Sequence, residues 1–509
     1  MSSSTTEAPR VIRSLIPARI DRLPWSPFLT RMVCALGVAW ILDGLEITIA
    51  ATVIPTLTDK TTLGLSSGAV GAIASVYLFG EVIGALVFGK LSDKLGRRKL
   101  FMVTLGIYLV GSGLTALTLG NGVGSVVFLY ATRFVAGVGI GGEYAAINSA
   151  IDEMMPARFR GRVDIAVNGT YWAGALIATV AQLIIFNNLD ASFAWRIGFL
   201  IGPVLGVVIL FVRKHLPESP RWLIMKGREA EAEEQIRRIE RWSEDGQDSH
   251  LPAVDRSKAI EISPTSDMGY VTLLRVLFQQ MPRRSILGST LMITQSFLYN
   301  AIFFTYGLVL KQFYGVSNQT LPYYFISFAV GNLAGPLLLG HLFDTVGRRK
   351  MISGTYLLSG ALLALTAVLF QAGALTALTQ TLAWSAIFFF ASAGASAAYL
   401  TVSEIFPIEV RAKAIAVFFA IAQGFGALGP VVYGALIGDG KSTDTLFLGY
   451  LLGAIVMIIG GIVAAILGVA AEGKSLEEVA APLSTANRML PAYPAGATTK
   501  EPIRGGLNR

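Results

Sequence analysis

The sequence predicts an all-α integral membrane protein: twelve transmembrane helices in two pseudo-symmetric six-helix bundles. Three observations predict it. First, 53% of the 509 residues are hydrophobic and 15% are charged, with a mean hydropathy of +0.60, whereas a soluble chain carries about 25% charge. Second, the apolar residues gather into twelve runs, each long enough to cross a bilayer at roughly 20 residues per helix. Third, two unrelated motifs recur at one offset of 251 residues.

The runs fall at about 31–58, 67–89, 99–120, 124–152, 163–186, 194–214, 284–311, 320–342, 350–371, 381–405, 412–436 and 445–471. Lipid offers no partner to a bare peptide group, so each run satisfies its own backbone as a helix. Most connections are short. The exception, 215–283, is charged, and Glu229 to Trp242 within it reads as a short surface helix. The domain plan is an N-terminal tail (1–24), a first bundle (25–214), a central loop (215–283), a second bundle (284–472) and a C-terminal tail (473–509). Residues 10–22 (RVIRSLIPARIDR) read either as a segment on the membrane surface or as a loose basic tail. The polar N-terminus has no short apolar region with its own cleavage site, so no cleavable signal peptide is expected.

Charge placement sets the orientation. Of the 41 Lys and Arg, 36 fall on one side of the runs, in the tails, the long loop and alternate connections. Lys60, Arg196, Lys311 and Lys441 fall on the other side, and Arg133 lies inside a run. By the positive-inside rule both termini and the long loop are cytoplasmic, with a bacterial inner membrane as the expected location. The net charge of +8 is therefore topology, and no nucleic-acid partner is expected. Cys34 is the single cysteine, and His215, His250 and His341 are scattered, so neither a disulfide nor a metal site is expected. No nucleophile–base set suggests an enzyme. GVGIGG (Gly137–Gly142) matches a dinucleotide-binding pattern, but it lies inside an apolar run and reads as close helix packing.

The repeat is explicit. GKLSDKLGRRKL (Gly89–Leu100) maps onto GHLFDTVGRRKM (Gly340–Met351), and IDEMMPARFRGR (Ile151–Arg162) onto VSEIFPIEVRAK (Val402–Lys413). Glu153 aligns with Glu404 and Arg160 with Arg411. Six spans per half is an even number, so the halves share one orientation about an axis along the membrane normal. Transporters built this way place the substrate between the halves, near the midplane.

The motif G-x-x-x-D-x-x-G-R-R after the second and eighth runs resembles the signature loop of the major facilitator superfamily. PESPRWL (Pro217–Leu223) and SEIFPIEVRAKA (Ser403–Ala414) resemble its sugar-porter-like branch. DGLE (Asp43–Glu46) resembles the D-G-x-D pattern of aromatic-acid:proton symporters, and GGEY (Gly141–Tyr144) is similar to nicotinate and synaptic-vesicle-type relatives. The resemblance covers about residues 20–475. It implies secondary active transport by alternating access, by a monomer in the lipid bilayer, with the proton gradient as energy source and no cofactor. Proton symport of a small organic or aromatic acid is the favoured expectation. The alternatives are a sugar:proton symporter, a proton-coupled drug or metabolite exporter, and a non-transporting nutrient sensor.

The motif residues have physical uses. Gly89 and Gly340 would let two helices approach closely. Asp93 and Asp344 can accept hydrogen bonds from a helix N-terminus, where the dipole favours negative charge. Arg97, Arg98, Arg348 and Arg349 can bond Glu153, Glu404 or helix-end carbonyls, with Arg160 and Arg411 beside them. The resemblance implies that these contacts latch the cytoplasmic side shut in the outward-facing state. The competing reading is that the charges set topology alone.

Ionisable groups inside spans are costly and usually face a cavity. Asp43, Glu46, Glu81, Arg133 and Glu143 all lie in the first half. At ~1.5 Å per residue, Glu46 and Arg133 come within reach of each other if their helices face, and Asp43 is level with Glu143. Desolvation favours a neutral carboxyl and contact with Arg an ionised one, so alternating between them moves a proton. Glu46 is therefore the candidate proton carrier, Arg133 its partner, and Asp43 a second carrier or a substrate ligand. The competing reading is a permanent salt bridge. Glu143 reads as a site carboxylate or as polar glue, and Glu81 as structural.

The second half offers polar and aromatic ligands. TQSFLYNAIFFTY (Thr294–Tyr306) keeps Gln295 and Asn300 at the five-residue spacing of the sugar-porter seventh span. It has Thr294 where a second Gln is usual and Leu298 where Gly is usual. Tyr399 stands where sugar porters place a Trp, and Ala398 where they place a Pro. These departures weigh against a hexose. The candidate substrate ligands are Tyr144, Gln295, Tyr299, Asn300, Tyr306, Trp384 and Tyr399, the aromatic ones having packing as their alternative.

Overall fold

A computed structural model of the chain describes residues 12–53, 57, 62–65, 67–213, 218–244, 251–262, 269–316, 320–437, 443–481 and 483. A short strand β1 (Ile12–Ser14) and helix α1 (Ile16–Asp21) precede the first spans, α2 (Pro27–Val53), α3 (Ser67–Leu95), α4 (Arg97–Ala116) and α5 (Val123–Met154). The fifth apolar run forms α6 (Ala157–Gly169) and α7 (Tyr171–Asn188), interrupted at Thr170, and the sixth forms α8 (Ala191–Arg213). The central loop holds α9 (Pro220–Met225), α10 (Glu229–Glu244), β2 (Ile260–Ile262) and α11 (Tyr270–Arg275). The second half contains α12 (Pro282–Tyr314), α13 (Leu321–Leu339), α14 (Leu342–Thr345), α15 (Arg348–Gln371) and α16 (Ala377–Glu404). It ends with α17 (Arg411–Gly426), α18 (Leu428–Ile437), α19 (Thr443–Leu467) and α20 (Leu476–Val479).

Ten helical stretches among the described residues are long and apolar enough to cross a membrane. The remaining two expected spans are α6–α7, divided at Thr170, and α8, whose apolar stretch Ser192–Val207 is shorter. Thr170 turns its hydroxyl onto the carbonyls of Val167 (2.6 Å) and Gly37 (3.0 Å), so the interruption is bonded to α2 rather than left open.

Small residues let the helices meet backbone to backbone. In α5, Gly137 and Gly141 lie against the backbone of Tyr77 and Glu81 in α3, where a side chain would collide. The glycine run of α5 is thus a packing seam, as its place inside an apolar run led us to expect. Gly44 of α2 and Gly174 of α7 make the equivalent close approach. Within the first half α3 packs along α5, and α2 along α7; within the second, α15 packs along α19 and α13 along α16. The halves meet where α3 faces α17 and α7 faces α13, and one apolar core runs through both.

The repeated loops turn on glycine. Gly96 and Gly347, 251 residues apart, have φ of +82° and +113°, which strongly favours glycine. Each opens a helix, and a carboxylate sits at each opening: Glu218 accepts from the Arg98 amide and Glu472 from the Arg348 amide, both at 3.4 Å. The helix dipole favours negative charge there.

The segment around 12–22 corrects both readings of the basic tail. β1 pairs antiparallel with β2 (Ile12 with Ile262, Ser14 with Ile260). Ile12, Ile16 and Ile20 recur every fourth residue and bury against Trp222, Leu223, Ala232 and Ile236 of α9 and α10. Arg19 donates to Glu240 (2.9 Å) and Glu233 (2.7 Å), and Arg22 to Glu240 (2.5 Å). Partial burial pushes the Glu240 carboxyl up, but its bonds from Arg19 and Arg22 outweigh this and hold it below the usual carboxylate range.

Candidate functional site

Between the halves lies a cavity of about 120 Å3, room for about four water molecules at ~30 Å3 each or one small ring compound. From the first half, α2 contributes Trp40 and Ile47, α3 Leu78, α5 Tyr144, α6 Asn168, and α7 Tyr171 and Trp172. From the second, α12 contributes Gln295, Ser296, Tyr299, Asn300, Phe303 and Phe304. The rest of that wall is Ser392, Ala395, Ser396 and Tyr399 of α16 and Gln423 of α17. Among the described residues that line it, none carries a formal charge.

Aromatic contacts join the halves around this space. Tyr144 stacks on Phe419 at 4.4 Å and lies nearly parallel to Tyr399 at 6.2 Å, while Trp40 meets Tyr144 edge-on at 4.7 Å. Trp172 of α7 lies 5.8 Å from the Tyr299 ring of α12. Ring pairs of this kind contribute about 0.5–1.5 kcal/mol beyond their buried area.

Five sequence-predicted ligands are brought together here: Tyr144, Gln295, Tyr299, Asn300 and Tyr399. Tyr306 and Trp384 are placed elsewhere. Both are fully buried, with rings 5.0 Å apart, and the Tyr306 hydroxyl donates to Thr381 at 2.9 Å. Neither is among the described residues lining the cavity. Trp40, Tyr171, Trp172, Gln423 and the serines were not singled out from the sequence. The alignment of the two halves cannot find them, because the two walls are chemically different.

The charged centre lies beside the cavity, inside the first half. Arg133 of α5 bonds Glu46 of α2 at 2.6 Å, and both are at most 1% exposed. Glu46 also accepts from Ser112 (2.7 Å) and Tyr108 (3.0 Å) of α4, so three donors satisfy its oxygens. The rest of the guanidinium lies over the rings of Tyr77 and Phe199, at 4.5 and 4.9 Å. Ile47 and Phe304 line both the cavity and a smaller void that reaches Arg133, and so form the wall between them. Asp43 and Glu143 are buried, and neither is among the described lining residues.

Residues of the repeated motifs meet at the end of the bundle that carries the basic loops. Arg348 donates to both oxygens of Glu404 (3.0 Å each) and pairs with Asp344. From the first half, Arg160 lies 3.6 Å from Glu404, and the Arg162 amide donates to Asp344 at 2.8 Å. Gly89 of α3 packs against Ala416 of α17, and Gly340 lies 3.4 Å (from an added Cβ) from Ile165 of α6. The Glu153 carbonyl accepts from Arg221, and Arg411 and Arg349 donate to the carbonyls of Phe406 and Ala465. The side chains of Asp93 and Arg97 lie outside the described residues.

A family model described as "sugar (and other) transporter" matches residues 33–482. The chain belongs to that family. It is 27% identical to the niacin transporter NiaP of Acinetobacter baylyi over 464 residues, covering 91% of this chain and 99% of the relative. It is 28% identical to the putative metabolite transport protein YdjK of Escherichia coli over 481 residues, covering 91% and 96%. Its fold matches that of the proton:xylose symporter XylE, a major facilitator superfamily protein, with a TM-score of 0.73 at 19% identity, covering 89% of this chain and 98% of that one. The chain is thus an integral membrane transporter of the major facilitator fold and not an enzyme. The cavity between its halves stands where such a fold places a solute site.

Proposed function

We propose that this transporter is a proton symporter of a small organic acid, favouring a single aromatic ring bearing a carboxylate. The cavity carries the reading: aromatic faces suit a flat ring, and the amides of Gln295, Asn300 and Gln423 suit a carboxylate. No fixed countercharge stands among the described lining residues, so a co-transported proton is the natural compensation for a substrate anion. The relative named as a niacin transporter supports the same substrate class. Tyr144, Gln295, Tyr299, Asn300 and Tyr399 are the proposed ligands. Glu46 is the proton carrier and Arg133 its partner, with Asp43 and Glu143 as further buried carboxyls of the same half.

The Arg160, Arg348, Asp344 and Glu404 cluster is the proposed latch of alternating access. The domain plan read from the sequence serves as its framework, with both termini and the central loop cytoplasmic in a bacterial inner membrane. Amides and serines also suit sugar hydroxyls, and the XylE fold match favours sugar symport as the second reading. Uptake into proteoliposomes separates the two. Nicotinate, benzoate, myo-inositol, D-glucose and D-xylose are each tested with and without an inward proton gradient. Accumulation of an acid that collapses with the gradient is the expected result. Accumulation of a sugar or polyol alone refutes the acid, and gradient-independent equilibration refutes symport.

A further inference from the structure

One buried carboxylate has no part in the reading above. Glu81 of α3 is fully buried beside the cavity, and its Oε2 accepts a hydrogen bond from the side-chain amide of Gln423 on α17. The bond crosses between the halves and joins two residues 342 positions apart in the sequence. Glu81 Oε1 is buried as well, and the Tyr77 hydroxyl of the same helix also acts on this carboxylate as a hydrogen-bond donor. Gln423 itself lines the cavity. Its Oε1 accepts from Ser296 at 2.7 Å and from Asn300 at 3.5 Å, both cavity residues on α12.

Donor and acceptor counting gives this contact a direction. An ionised carboxylate only accepts, so it holds the Gln423 N–H toward α3 and leaves the amide oxygen on the cavity side. A protonated carboxyl also donates. Gln423 can then turn its oxygen to Glu81 and its N–H into the cavity. The first arrangement presents an acceptor to the solute, which a substrate carboxylate cannot use. The second presents a donor, which it can.

We propose that Glu81 is a positioning residue that couples proton binding to acid binding through the orientation of the Gln423 amide. A proton from cavity water adds to the carboxylate, Gln423 rotates, and the substrate carboxylate takes the freed N–H. On release of the acid the amide turns back, and the proton leaves Glu81 to water. Glu81 thereby gates acid binding, and the proton that drives accumulation remains the one Glu46 carries. By linkage, the acid tightens proton binding by the same factor that the proton tightens acid binding. Besides Gln423, Arg133 of α5 and Tyr77 of its own helix act on Glu81, and Glu81 in turn acts on Tyr144 of α5, Tyr171 of α7 and Tyr399 of α16. The Arg133 charge is already matched by Glu46 at 2.6 Å.

This inference rests on the acid-symporter reading, and the test separates the two. The purified full-length protein is titrated with nicotinate and with benzoate, following the fluorescence of Trp40 and Trp172 in the cavity wall. The pH is varied across the range in which both acids stay ionised, and myo-inositol and D-glucose serve as neutral probes. Wild-type affinity for an acid should rise about tenfold or more toward acid pH, the worth of one charge-assisted hydrogen bond. Glu81→Gln, which donates at every pH, should bind at the acid-side affinity throughout, giving a flat profile. Gln423→Met, which has no N–H, should bind at the alkaline-side affinity throughout. A Glu81→Gln profile parallel to wild type, or lowered equally at all pH values, overturns the inference and leaves acid symport standing. Wild-type binding of the neutral probes alone overturns both.

Discussion

Breaking the Glu46–Arg133 pair should have unequal consequences from its two ends. Both side chains are at most 1% exposed, so water cannot screen the charge left behind. Arg133→Met strips Glu46 of its countercharge and leaves it two neutral donors, Ser112 at 2.7 Å and Tyr108 at 3.0 Å. Removing one partner of a buried pair destabilises by about 3–5 kcal/mol, and this variant should fall in that range. Glu46→Gln leaves a cation instead, but that cation lies over two rings at 4.5 and 4.9 Å. Such contacts return about 0.5–2 kcal/mol, so the loss should be nearer 2–3 kcal/mol. The double variant Glu46→Leu/Arg133→Met removes both charges and should be more stable than either single one. Thermal unfolding of the purified protein, followed by tryptophan fluorescence, reads all three. Transport supplies the second readout: Glu46→Gln should exchange solute across the membrane yet fail to concentrate it under a proton gradient. Additive losses in the double variant would refute the buried-pair argument, and gradient-driven accumulation by Glu46→Gln would refute the coupling role.

Other outcomes follow from the same structure. Trp172→Ala, which removes a ring facing Tyr299 at 5.8 Å, should weaken acid binding by about three- to tenfold, read by ligand titration. Glu404→Gln loses the 3.0 Å fork to Arg348 and the 3.6 Å contact to Arg160; a cysteine placed at Ser396 should then react faster with a reagent added from the basic-loop side. Gly347→Ala forces a side chain onto φ +113° and should cost about 1–3 kcal/mol, read as a lowered unfolding midpoint. The Arg19 fork to Glu233 and Glu240 should weaken in acid: these carboxyls are held below their ordinary range despite partial burial. Their contribution is therefore present above the unfolded value and lost as pH falls through the folded one. Hydrogen exchange at Ile12–Ser14 should accelerate there, and Arg19→Ala should do the same at neutral pH, by about 1–2 kcal/mol of docking.

The charged pair was legible in the sequence because an acid and a base inside apolar runs have few places to go. Five cavity residues were legible: Gln295 and Asn300 through family spacing, Tyr144 and Tyr399 through their places in family motifs, and Tyr299 as a neighbouring aromatic. Tyr306 and Trp384 were aromatic candidates with packing as their alternative, and they lie in a packed aromatic layer, since helical position alone does not fix which face meets the cavity. Glu81 and Gln423 were not legible as a pair. Each is a lone polar residue in its own helix, and their contact exists only because α3 and α17 face each other across the halves. The N-terminal segment was misread for a similar reason. Its isoleucines have the right spacing for a membrane surface, and also for the Trp222 and Ile236 surface they cover.

The sequence by itself determined the all-α membrane class, the duplication and the confinement of the ionisable groups deep inside the spans to one half. These follow from local rules: a backbone in lipid must bond to itself, and a charge in lipid must be paired. Tertiary structure alone decided which side chains share the cavity, that Glu46 holds three donors, and that one amide of the second half touches a carboxylate of the first. Those facts depend on the rotation of whole helices about their axes and on contacts between halves, and no stretch of sequence encodes them locally.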